Sequence, residues 1–413
     1  MTSDAASIAP LGIAFVVLHT SPVDEPGTKD AGGMNVVVRA QAEVLARAGH
    51  RVELITRRQR PDEPAVVELA PNLRLHSLAA GPARTIEKGE HEALIDEFRD
   101  ALAALLRDVP VDVIHGEHWF SGIAALPVAR ELGVPLVQSF HSIAADASLP
   151  LSAGERAESP GRLEGEARLA RESDALVVIS DAERETAIER LGAAPERIFV
   201  VPPGVDQTVF YPADAAVAAP GTGRDRPRLI VGGRLHPLKG IDLAIDAVAE
   251  LPEASRPDLV VVGAPPPDSL DYERSLHDAV ARHGLDERVR FTGPLSRAGF
   301  AGEMRESDLL LMPSHSETFG LVALEAAACG LPAIAYRSGG LAESVRHDET
   351  GLLVDTREPA DWAAAIARVL GDAALYRRLA TTALAHARAM SWDASAGQLL
   401  EVYLGLVNGA ARG

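Results

Sequence analysis

The sequence predicts an α/β protein of two doubly wound domains, and three observations lead there. Short runs of Val, Ile and Leu alternate with longer helical patterns, as parallel strands buried on both faces and their covering helices do. The chain has 413 residues, more than one hydrophobic core usually organises. The alternation breaks once, at Tyr211 to Pro227, a stretch of Ala, Pro, Gly and a small charge cluster without apolar periodicity.

Strands of a first sheet are expected at Gly12 to Leu18, Val52 to Thr56, Val111 to His115, Pro135 to Ser139 and Ala175 to Ser180. A second set is expected at Arg228 to Gly232, Leu259 to Gly263, Arg290 to Thr292, Leu309 to Pro313 and Ala333 to Tyr336. The domains are therefore drawn as 1–210 and 211–391. The amphipathic segment Trp392 to Val407 follows a complete second domain and is expected to cross back, which joins 392–413 to the first. Ligands of open α/β sheets bind outside the carboxyl ends of the strands, so the loops there, and a cleft between the domains, are where chemistry is sought.

Composition narrows the partners. With 59 acidic and 40 basic residues the formal net charge is -19, a field that repels polyanions and anionic membranes. Aromatic residues make up only 4% of the chain, too few for the stacking platforms of single-stranded nucleic acid binders. No nucleic acid partner is expected, and any bound phosphate must lie in a local basic pocket. A single cysteine, Cys329, excludes an internal disulfide and fits a reducing compartment. Neither a leader nor a run of some 18 apolar residues is present, so a cytoplasmic protein without a membrane span is expected.

Three loops carry the strongest signals. Paired glycines, Gly32 and Gly33, open a helix in the segment Asp30 to Asn35, where free amides and the helix dipole favour an anion. The dinucleotide spacing Gly-x-Gly-x-x-Gly is absent, and a plain glycine turn is the alternative. In the second domain, Arg234 and Lys239 stand five residues apart in a loop that begins Gly232-Gly233, able to place two cations on one diphosphate. In Pro313 to Gly330, Glu325 is the lone polar residue of an otherwise apolar helix and must be satisfied by a ribose or by an Arg of a neighbouring helix. Glu317, eight residues earlier, is placed to accept from sugar hydroxyls.

Two further stretches of the first domain hold polar residues at strand ends. His115, Glu117, His118 and His141 suggest metal ligands, yet His115 and His118 are read as loop residues, not one helix face, and no metal is expected. Such a mixture of neutral and charged donors suits a hydroxyl-rich sugar. Lys88 and Arg162 are candidates for a small anion site, with ordinary surface charge as the alternative.

Together these motifs resemble glycosyltransferase family 4, the retaining enzymes of the GT-B fold, over nearly the whole chain. The carriers are Gly233-Arg234, Lys239-Gly240 and the Glu317 to Glu325 spacing. Within that family, His19-Thr20-Ser21-Pro22, Asp30 to Asn35, Trp119-Phe120-Ser121-Gly122 and Val201 to Asp206 are similar to the D-inositol-3-phosphate glycosyltransferases of mycothiol biosynthesis. The resemblance implies two facing Rossmann-like domains and a nucleotide-sugar donor, used as substrate without a cofactor or catalytic metal. It assigns Arg234 and Lys239 to the diphosphate, Glu325 to the ribose, Glu317 and His141 to the transferred sugar, and Gly33 to the phosphates. Gly293 to Arg297 would meet the base, and Phe319, Gly320 and Leu321 would complete the donor site.

For the acceptor the resemblance implies Asn35, Lys88, His118, Ser142 and Arg162. Here His118 replaces the family's tyrosine, and Asp146 stands where the family has a basic residue, which weakens a phosphate site. The expected reaction moves N-acetylglucosamine from its UDP derivative to an inositol phosphate or a related small polar acceptor. The alternatives are another UDP- or GDP-linked sugar moved to an aminocyclitol or thiol, an epimerase acting on the nucleotide sugar alone, and a non-catalytic protein. A homodimer is compatible with the sequence.

Overall fold

The computed structural model describes residues 9–25, 32–144, 160–213, 220–266 and 269–410. Asp30 and Asp146 lie outside them.

The first sheet contains β1 (Gly12–Val17), β2 (Arg51–Arg57), β3 (Val66–Ala70), β4 (Leu73–Leu78), β5 (Val113–Glu117), β6 (Leu136–Ser139), β7 (Ala175–Val178) and β8 (Ile198–Val200). Their order is β3-β4-β2-β1-β5-β6-β7-β8, parallel except for the antiparallel edge strand β3. The helices α1 (Gly33–Arg47), α2 (Ile95–Asp108), α3 (His118–Leu132), α4 (Pro160–Glu172) and α5 (Asp181–Leu191) follow in sequence.

The second sheet holds β9 (Arg228–Gly232), β10 (Asp258–Val262), β11 (Val289–Gly293), β12 (Leu309–Met312), β13 (Ala333–Tyr336) and β14 (Gly351–Val354). All six are parallel, in the order β11-β10-β9-β12-β13-β14. With it go α6 (Ile241–Glu250), α7 (Leu270–Arg282), α8 (Arg297–Arg305), α9 (Leu321–Ala328), α10 (Leu341–Ser344), α11 (Pro359–Gly371) and α12 (Ala373–Ala389). The last helix, α13 (Trp392–Ala410), returns to the first sheet. Its Leu399, Val402 and Tyr403 share a core with Ile13, Phe15 and Val38, and Gln41 on α1 donates to Ser395 at 3.0 Å.

The ten expected strands are present, with ends shifted by a few residues. Four strands were not expected. β3 is largely exposed and carries no buried periodicity, β4 interleaves Arg74 and His76 among leucines, and β8 and β14 are only three and four residues long. One correction matters for the site: β5 runs through Glu117 and α3 begins at His118, so neither His115 nor His118 is a loop residue. Gly116 lies within the strand. That glycine allows close packing, since a Cβ there would lie 2.9 Å from Gly122 Cα on α3.

Strand order reverses direction between β1 and β5 in the first sheet and between β9 and β12 in the second. The crevices beyond the carboxyl ends of those pairs are where such sheets take ligands.

Candidate active site

From the first domain, α1 brings its N-terminus to the crevice. Asn35 is buried, its side-chain carbonyl accepts from Gly32 N at 3.1 Å, and its amide donates to Thr20 Oγ1 at 3.1 Å and the Ser21 carbonyl at 2.7 Å. Asn35 thus ties the loop after β1 to the helix start. A Cβ on Gly33 would stand 3.2 Å from Leu321 Cδ1, so the α1 N-terminus abuts the start of α9 in the other domain.

At the ends of β5 and β6 sit His118 and His141, both with positive φ, 67° and 58°. Non-glycine residues in that region are uncommon and strained, and such strain persists where the surrounding structure over-determines it. His118 is buried, with its ring centroid 4.4 Å from that of His19 and 4.8 Å from Phe120. His141 meets the buried carboxylate of Glu117, Nε2 to Oε2 2.5 Å. Burial opposes the charge of both partners; attraction to Glu117, and less to Glu183, holds His141 above the usual imidazole range, while the neighbouring imidazoles of His115 and His141 hold Glu117 below the usual carboxylate range.

Ser142, next in the chain, accepts from Arg162 at both its hydroxyl, 3.1 Å, and its carbonyl, 2.9 Å. Arg162 lies buried on α4 and pairs with the fully buried Glu166 at 2.8 Å. Its guanidinium is therefore a fixed part of the pocket wall and not a surface charge. Lys88 opens the 3-10 turn Lys88–Leu94.

The second domain supplies the other wall. Lys239 closes a 3-10 turn and ion-pairs with Glu317, whose carboxylate also accepts from Ser314 Oγ at 3.0 Å. Arg234 is exposed in the same loop and makes no ion pair among the described residues. The Pro313 to Gly320 loop is pinned by main-chain bonds from His315 N to Leu238 O, 2.8 Å, and from Gly340 N to Glu317 O, 2.9 Å. Phe319 beneath it is buried, and Gly320 caps α9 at φ 94°, a conformation that favours glycine. Gly293 ends β11, its carbonyl accepting from Gly263 N at 3.0 Å and from Thr292 Oγ1 at 2.7 Å.

Glu325 takes the second of its two sequence-level alternatives. Arg297, first residue of α8, ion-pairs with its carboxylate at 3.0 Å, with its own guanidinium carbon 5.0 Å from the centroid of the Phe210 ring. Burial nevertheless pushes Glu325 up to about 7, against the pull of Arg297.

Between the walls, Thr318 Oγ1 donates to the His141 carbonyl at 2.9 Å. On the flank, the Glu343 carboxylate on α10 accepts from Asp181 N and Ala182 N, each 3.0 Å, at the N-terminus of α5. Sequence reasoning missed Thr318 and Glu343, whose partners are remote in sequence; it named Arg297 within the loop Gly293 to Arg297 but did not identify it as the arginine that pairs with Glu325. Glu117 was legible in part, because β5 and β6 are neighbours and Glu117 pairs in register with Ser139, two residues before His141. Among the described residues no group of His, Cys, Asp and Glu has the arrangement of a metal site, and no helix is long and apolar enough to cross a membrane.

Two family models match the chain in succession. Residues 32–204 match the glycosyl transferase 4-like domain and residues 214–386 match glycosyl transferases group 1. A D-inositol 3-phosphate glycosyltransferase from Stackebrandtia nassauensis is 39% identical, over 95% of this chain and 91% of its own. One of the same name from Saccharomonospora viridis is 38% identical, over 96% and 94%. Among solved structures, a sucrose-phosphate synthase from Thermosynechococcus elongatus superposes with a TM-score of 0.87 at 30% identity, covering 96% of this chain and 99% of that one. The doubly wound pair of domains is the GT-B glycosyltransferase architecture.

Proposed function

Because the chain belongs to glycosyltransferase family 4 and is an enzyme of that class, we propose that it transfers N-acetylglucosamine from UDP-N-acetylglucosamine to an inositol phosphate, with retention of anomeric configuration. The supporting observation is the contact between Thr318 and His141. Glu317 is the chain neighbour of Thr318 and Ser142 that of His141, which supports a reading in which donor and acceptor residues line one crevice.

In this reading residues 211–391 form the donor half, and 1–210 with 392–413 the acceptor half. Arg234 and Lys239 hold the diphosphate and take up the charge that develops as it leaves. Preorganised donors of this kind contribute roughly 10² to 10³ each in rate. Glu317, already oriented by Lys239 and Ser314, accepts from hydroxyls of the transferred sugar, while Glu325 accepts from the ribose and Gly33 supplies an amide to the phosphates. The acceptor is held by Asn35, Lys88, His118, Ser142 and Arg162. Its hydroxyl attacks the anomeric carbon on the face the diphosphate leaves, the bond to the diphosphate breaks and the hydroxyl proton passes to the departing phosphate oxygen, so neither a protein nucleophile nor a metal is required. The names of the two relatives above support the acceptor assignment.

A second acceptor class is favoured by one observation. Arg162 is already bonded to Glu166 and Ser142, and His118 stands where the resembling enzymes place a tyrosine, so an acceptor without a phosphate, such as an aminocyclitol, fits the same wall. Titration calorimetry with UDP, GDP and ADP, followed by inositol phosphate added to the nucleotide complex, separates the readings. UDP binding followed by inositol phosphate binding is expected. UDP binding with no response to inositol phosphate would move the acceptor to the second class, and no nucleotide binding would overturn the proposal.

A further inference from the structure

Beneath His141 lies a buried polar chain that the transfer reaction as proposed does not use. His115 on β5 is fully buried, with Nδ1 2.6 Å from the Tyr403 hydroxyl and Nε2 2.9 Å from Ser139 Oγ. Ser139 spends its own proton on the Val177 carbonyl, at 2.8 Å, so it must accept from His115 Nε2–H. His115 Nδ1 must then accept from Tyr403. Both nitrogens are accounted for in the neutral ring, and burial favours the neutral form as well. His115 is therefore not the counter-charge of Glu117, whose Oε1 is 3.6 Å from it.

The other groups around the pair are these. On α5, Glu183 accepts from Ile179 N at 2.9 Å through Oε2, while its Oε1 has no hydrogen-bond partner among the described residues; burial lifts it to about 6, and its charge adds less than that of Glu117 to the pull on His141. On α4, Arg162 is paired with Glu166, and the second oxygen of Glu166 accepts from Ala144 N at 2.9 Å. From the second domain, Thr318 reaches only the His141 carbonyl. No Lys or Arg ion-pairs with Glu117 among the described residues, which leaves His141 as its partner. An unpaired carboxylate at 1% exposure would be costly.

We infer that Glu117 is a positioning residue that holds His141 as an imidazolium, fixing Nε2 toward the sheet so that Nδ1–H becomes a charged donor to the substrate at the domain junction. His141 Nδ1 makes no hydrogen bond among the described residues, and the backbone on either side of the ring is locked, by φ 58° and by Thr318. A neutral ring donating Nε2–H to Glu117 would present Nδ1 as an acceptor. The charge thus decides whether His141 gives or takes a hydrogen bond. The inference rests on the proposed transfer reaction for its consequence, but its test does not.

The test is an NMR pH titration of the His141 ring in the full-length protein, its signal identified by its loss in His141→Gln. It is run on wild type, Glu117→Gln and Glu117→Asp, beside pH profiles of kcat/KM. Wild-type His141 is expected to titrate above ordinary histidine, Glu117→Gln to move that titration and the alkaline limb of kcat/KM to lower pH, and Glu117→Asp to restore both. Above neutral pH the Gln variant should lose about tenfold or more in kcat/KM, the scale of a lost charged donor. Titration of wild-type His141 at or below the ordinary value would overturn the inference even if Glu117→Gln does not fold. So would an unchanged His141 titration in a folded Gln variant. Lack of turnover with UDP-N-acetylglucosamine would instead count against the proposed reaction and leave the titration result standing.

Discussion

Arg297 and Glu325 form a 3.0 Å ion pair between the first turn of α8 and the middle of α9, at the end of the second domain where a ribose is proposed to bind. Burial raises Glu325 to about 7 even with Arg297 beside it. A carboxyl whose folded pKa exceeds its unfolded value takes up a proton on folding. Stability therefore falls as pH rises from about 4.5 to about 7 and stays low above that. Glu325→Gln should melt a few degrees higher than wild type at pH 8, with the difference vanishing near pH 4, while transfer activity is lost. An equal or lower melting temperature at pH 8 would contradict the sign worked out here.

Removing the other partner acts on the same carboxylate. Arg297→Ala withdraws the one ion pair of Glu325 among the described residues and should raise its pKa further. Nucleotide affinity at pH 7 should then fall by about tenfold, the scale of a lost charge-assisted hydrogen bond, and recover in part at pH 9. Calorimetry with UDP at the two pH values checks this; equal loss at both would mean that Arg297 binds the nucleotide directly.

Lys239→Ala should reduce kcat by about 10² to 10³. Its pairing with Glu317 is part-exposed, and ion pairs of that kind contribute about 1 kcal/mol or less. The melting temperature should thus shift by no more than about 4 °C, which thermal unfolding monitored by circular dichroism tests. Wild-type turnover in this variant would remove Lys239 from the donor site.

Glu343→Gln keeps the shape of the α10 side chain but removes the charge that faces the α5 amides. A carboxylate at a helix N-terminus is worth about 0.3 to 1 kcal/mol, so the KM for the donor should rise up to about fivefold as the two domains part more readily. Small-angle scattering should report a larger radius of gyration for the variant. An unchanged radius together with an unchanged KM would show that Glu343 does not hold the domains.

Residues whose chemistry is local were legible in the sequence. Lys239, Glu317 and Glu325 stood out because glycine-rich loops at strand ends and a lone charge on an apolar helix announce themselves within ten residues, and the two sheets followed from their Val, Ile and Leu runs. What escaped depends on tertiary placement. Arg297 meets Glu325 because α8 and α9 pack side by side within the second domain, and Thr318 meets His141, 177 residues earlier, because the two domains face each other. Arg162 read as a surface charge in one alternative, since nothing local shows that Glu166, one helical turn on, is buried with it. Edge strand β3 was invisible because it buries little, and burial is what patterning reports.

Tyr403 has a temporal consequence as well as a spatial one. It reaches His115 across 288 residues of sequence, and with Leu399 and Val402 it fills the layer over β1 and β5. Everything from β9 to α12 must leave the ribosome before α13 can dock. During synthesis the first domain therefore waits with His115 and an apolar face uncovered while the second domain folds. The half proposed to grip the acceptor is begun first and finished last, so a nascent chain halted before α13 carries a donor half made in full and an acceptor half still open to chaperones.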